Sequence, residues 1–155
     1  MKKILALSVF TFIIGLANAQ VAFRTGNAQL DTDLNNINAN ASLHFGAFRT
    51  DLSIGYDVSE KKIDYMHSRL EMKPGEIYVA LEISKISRRP VDEVIRYYES
   101  DKDRGWGYIA KQCGIKPGSA EFHQLKNGAQ SQKGKSNKGH KAKGNNGNKG
   151  KGKKK

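Results

Sequence analysis

From Ala129 to Lys155 the chain contains no Val, Ile, Leu, Met, Phe, Tyr or Trp. Those 27 residues hold 10 lysines and 6 glycines and no acid. A segment with nothing to bury cannot offset the entropy of ordering its backbone, so residues 129–155 are expected to be a disordered basic tail. Any fold must be built upstream of it.

The tail also explains the charge. The whole sequence carries a formal +12, but residues 20–128 hold 15 Lys/Arg against 15 Asp/Glu. The foldable part is neutral, and the basicity belongs to the tail and to two lysines at the start. The high overall pI is therefore not the signature of a basic domain surface.

At the other end, "MKK" precedes "ILALSVFTFIIGLA", an uncharged apolar run of 14 residues, and then Ala17-Asn18-Ala19. This is the order of an export leader, with cleavage expected after Ala19. As a helix the run would reach about 20 Å, short of a hydrocarbon core of roughly 30 Å. Residues 1–19 are thus read as a signal peptide, and the protein as periplasmic or extracellular.

Between leader and tail the apolar spacing is helical, which predicts an all-α fold. About five to six short helices should form one compact domain of hairpins. Leu30, Leu34 and Ile37 mark a first stretch diluted by Asn and Asp, so residues 20–44 are expected to be weakly structured and only partly helical. The helical domain proper is expected over 45–128. Phe45, Phe48 and Leu52 begin it. Asp57 with Glu60 suggests a capping box for the next helix. "KPGE" opens a helix over 76–86, apolar nearly all round and therefore central. Pro90 starts another, with Val91, Val94, Ile95 and Tyr98 inward. Trp106, Ile109, Ala110 and Cys113 share a face before Gly114, a C-terminal cap residue. Ser119 can cap a last helix that buries Phe122 and Leu125. The lone Cys113 excludes an internal disulfide and reads as a buried thiol.

Few residues suggest chemistry. His44, His67, His123 and His140 are scattered without metal-ligand spacing, and no nucleophile–base grouping is visible. No catalytic residue, cofactor or metal site is assigned. "IAKQCGIKPGSAEFHQL" has the outline of a helix-turn-helix, but two packed helices need the same small and aliphatic residues, and the exposed positions of its second helix are poor in base-reading side chains. The turn Lys116, Gly118, Ser119 at a helix start is a candidate weak anion site. Lys133, Lys135, Lys138, Lys141, Lys143, Lys149, Lys151, Lys153, Lys154 and Lys155 form a candidate polyanion-binding tail. Lacking aromatics, it would hold nucleic acid, envelope polysaccharide or lipid headgroups without sequence preference.

The stretch "GWGYIAKQCGIKPGSAEFHQLKNG", preceded by "PGEIYVALEISKISRRPVDEVIRYY", resembles a family of small exported bacterial helical proteins with the signature GWGxIAKxxGIKPGSxEFHxLK. The resemblance covers Phe45 to Gly128. It implies export and a helical architecture and brings no activity with it. The function expected is that of an exported, non-enzymatic helical protein that binds anionic polymers through its tail. A helix-turn-helix-like nucleic-acid binder and an enzyme with a dispersed site are the alternatives.

Overall fold

In a computed structural model, residues 21–136 are described, and all their regular structure is helical. The elements are α1 (Ala28–Leu43), α2 (Phe45–Tyr56), α3 (Glu60–Ser68), α4 (Pro74–Ser87), α5 (Val91–Asp101), α6 (Trp106–Gln112) and α7 (Ala120–Ser136). A short 3-10 turn, Lys102–Arg104, joins α5 to α6. The all-α reading holds, with seven α-helices where five or six were expected. Residues 1–20, which include the expected signal peptide, and the expected tail beyond Ser136 lie outside the described residues.

The core is organised around α4, as its all-round apolarity predicts. Ile77, Val79, Ala80 and Ile83 are wholly buried, and Tyr78, Leu81 and Glu82 nearly so. α4 contacts α1, α2, α3, α5 and α7. It begins two residues earlier than expected, with Pro74 at its first position and the Glu76 carboxylate accepting from Lys73 N at 2.9 Å.

Three expectations are corrected. First, the segment expected to be weakly structured and only partly helical over 20–44 is better ordered than that from residue 21 on. α1 is a 16-residue helix whose Leu30, Leu34, Ile37 and Ala41 face the core. Several of the polar residues that argue against it by propensity hold a partner. Asn27 caps Leu30 N at 2.9 Å, and Asp31 accepts from Thr25 N at 3.0 Å. Asn35 bonds both N and O of Val21, at 3.0 and 3.2 Å. Tertiary partners override the weak local preference. Second, order does not stop at Gly128. α7 continues to Ser136, burying Ala129 completely and placing Lys133 against buried Asp33 of α1. Those eight residues lack large apolar side chains, but they extend a helix already packed on α1 and α4. Third, α3 is capped by Ser59, not Asp57. Asp57 ends α2 in the left-handed region, φ 51°.

The N-terminal strap, residues 21–25, was not foreseen. Phe23 is 1% exposed. Trp106 N donates to Phe23 O at 2.8 Å, and Gly107 N to Arg24 O at 3.1 Å. A Cβ on Gly107 would lie 2.6 Å from Thr25 O, and one on Gly75 would lie 2.7 Å from the Phe23 ring. The Gly-Trp-Gly motif is thus a dock for the strap. The rest of its stretch behaves as read: Trp106, Ile109, Ala110, Cys113 and Ile115 are buried. Gly114, at φ +93°, ends α6, with Ile115 N returning to Ala110 O at 2.9 Å.

Candidate functional site

The candidate anion turn sits between α6 and α7 with Lys116 and Gly118 exposed. The Ser119 side chain of the turn already has intramolecular partners. Ser119 Oγ accepts from Phe122 N at 3.1 Å. The Glu121 carboxyl is held below its ordinary range by its own backbone N–H, then by the Ser119 hydroxyl. The positive end of α7 therefore carries a carboxylate of its own, the usual complement to a helix N-terminus.

The ten tail lysines divide. Lys133 is bound 2.5 Å from Asp33, a residue 2% exposed that also accepts from Gln29 at 3.1 Å. Lys133 is therefore an internal tie and leaves the polyanion-binding set. Lys135 is exposed on the last turn of α7. Lys138, Lys141, Lys143, Lys149, Lys151, Lys153, Lys154 and Lys155 lie outside the described residues, as does His140.

A cluster that sequence reasoning missed lies where α2, α4 and α7 meet. Tyr78 and Glu82 stand one turn apart on α4 and both face inward. Tyr56, the last residue of α2, donates its hydroxyl to Glu82 Oε2 at 2.5 Å. It shares a second hydrogen bond with Tyr78, and the two rings meet edge to face at 6.3 Å. Burial, reinforced by the neighbouring acid, pushes both phenols well above their ordinary range. Gly128 makes the arrangement possible: a Cβ there would lie 2.4 Å from Glu82 Oε1 and 3.0 Å from the Tyr78 hydroxyl. The available signal was a Tyr and a Glu four apart on the apolar stripe of α4, with a glycine inside α7.

Above this cluster the surface is concave. A cleft of about 330 Å³ runs past Asp51, Ile54 and Tyr56 of α2, Lys85 of α4, and Gln132 and Lys135 of α7. A second, of about 460 Å³, shares Ile54, Tyr56 and Lys85 and continues over Val58, Leu81 and Val91. Ile54 is 79% exposed at the lip. The Lys85 ammonium stands 5.1 Å over the Tyr56 ring, a cation–π contact that holds it at the rim. Among the described residues neither Lys85 nor Lys135 is in an ion pair. Nearby, Arg49 and Lys62 are paired: Arg49 binds Glu60 and Asp64, and Lys62 binds Asp92.

Other chemistry finds little geometry. Among the described residues no group of three His, Cys, Asp or Glu side chains is placed to hold a metal ion. His67 stacks on Phe45 at 4.0 Å and bonds Met72 O at 3.0 Å. Cys113 is buried, and burial raises its thiol to about 11, away from nucleophilic reactivity. The second helix of the hairpin that outlines a helix-turn-helix is α7, and it packs lengthwise on α1 and α4. No helix among the described residues is long and apolar enough to cross a membrane. No protein-family model matches the chain, and no curated protein or solved structure matches it.

Proposed function

We propose that this protein is an exported, non-enzymatic binding protein that holds anionic polymers through the lysine-rich segment following α7. The observation that carries this reading is the segregation of charge. Residues 20–128 are neutral, whereas residues 137–155 hold eight lysines and no acid. Some charges of the domain are paired internally, as in Arg49–Asp64 and Arg89–Glu93. A segment with unopposed lysines releases counterions from a polyanion, and this release supplies both affinity and salt dependence. Export is read from the apolar run and the Ala17-Asn18-Ala19 pattern; it would direct the protein to polymers of the envelope or the medium rather than to the chromosome.

The test compares the chain from Gln20 to Lys155 with one ending at Ser136, which keeps α7 whole. The longer chain is expected to bind immobilised heparin or duplex DNA with affinity falling steeply as salt rises, by roughly one log unit per log unit of salt for each phosphate contact on DNA. The shorter chain should lose most of this. Equal retention of the two chains at every salt concentration rejects the reading.

A further inference from the structure

Lys135 is the last lysine of the described domain, and the eight further lysines begin three residues after it. The cleft it lines is therefore continuous in sequence with the proposed polyanion-binding segment. On the opposite wall stands Lys85, pinned over Tyr56. Two ammonium groups without a carboxylate partner among the described residues thus flank one concave surface. The same cleft carries one acid, Asp51, which is exposed and salt-bridged to nothing among the described residues. Buried Leu52 supplies an apolar floor and Ile54 an apolar lip.

The mixture is selective. A duplex DNA backbone offers phosphates and no hydroxyl donor, so Asp51 would meet only like charge. A polysaccharide bearing sulfate or carboxylate groups offers anions to the lysines and hydroxyls to a carboxylate acceptor. Base stacking has no platform here: the face of Tyr56 is covered by Lys85, and its hydroxyl is engaged by Glu82. We propose that the cleft between α2 and α7 seats a segment of an anionic polysaccharide, with Lys85 and Lys135 on its anionic groups and Asp51 on its hydroxyls. This rests on the polyanion reading above and assigns the domain, not only the lysine-rich segment, a part in recognition.

The experiment uses the full chain from Gln20, with heparin and a duplex DNA as the two probes, titrated over a range of salt. Lys135→Glu and Lys85→Gln are each expected to weaken heparin binding roughly threefold to tenfold at low salt and to flatten its salt dependence, with unchanged thermal unfolding. Asp51→Asn should weaken heparin and leave DNA unchanged or tighter. If both lysine variants bind heparin like the parent while the chain ending at Ser136 loses it, the cleft plays no part; this proposal falls and the function proposed above stands. If the chain ending at Ser136 keeps the parent's affinity and the lysine variants lose it, the cleft is upheld and the lysine-rich segment is not the binding element. If DNA outcompetes heparin and Asp51→Asn weakens both alike, the occupant is not a polysaccharide and the assignment is overturned.

Discussion

Gly128 is where a single hydrogen atom decides how two helices meet. Its missing side chain lets α7 close over Glu82 and Tyr78. Gly128→Ala should cost about 1–3 kcal/mol through overpacking, softened if the Glu82 carboxylate can swing. Gly107→Ala should cost more, because the group met at 2.6 Å is the backbone carbonyl of Thr25. Gly46 has open space around it and lies within α2, so Gly46→Ala should be neutral or stabilising by up to about 1 kcal/mol. Urea unfolding of the three variants gives the order, and a Gly107 variant as stable as the parent would contradict the docked strap. Tyr56→Phe removes a donor from the buried Glu82 carboxylate and should cost about 1–3 kcal/mol. The same buried groups set an alkaline limit. Cys113 rises from 9.0 to about 11, and Tyr56 and Tyr78 rise from 10.0. In that window the unfolded chain releases protons that the folded chain retains, so stability falls with pH. These groups contribute fully below pH 9, and the melting temperature should decline above it. Cys113→Ala should flatten the first part of the decline, between pH 9 and 10.

At the scale of elements, what could be read in advance was what is local. Helix starts and stops such as Ser119, Pro90 and Gly114 act within one turn, so their residue types report them. The α4 stripe was legible for the same reason. The strap was not, because Phe23 finds its partners at Gly75 and Trp106, far along the chain. α1 was undervalued because its Asn and Asp side chains bond groups outside the helix. The end of α7 was misjudged because Ala129 and Lys133 look like tail by composition and act as fold by position. The candidate cleft draws on α2, α4 and α7 at once, and no periodicity within one segment announces such a meeting. A direct check compares chains ending at Gly128 and at Ser136. The shorter loses buried Ala129 and leaves Asp33 without its lysine, and should be less stable by about 2–4 kcal/mol. In a chain of full length, Lys133→Ala alone should cost about 1–2 kcal/mol, since its side chain is 30% exposed. If the two truncated chains melt together, α7 adds nothing past Gly128.

For the whole molecule, the Asp33–Lys133 tie joins groups 100 residues apart, and the first helix packs most extensively against the last. Loop closure over such a span comes late, because the entropy of bringing its ends together must be met before the contact rewards it. A chain stopped at Ser119 keeps α1 to α6 but lacks the surface that covers α1. Such a chain should show helical circular dichroism without a cooperative thermal transition; a sharp transition near that of the full domain would contradict this. During synthesis the consequence is one of timing. The strap and α1 emerge first and stay without their closing partner until nearly the last described residue has been made. On the export proposed above, that delay would leave α1 without its closing helix while the chain crosses the membrane.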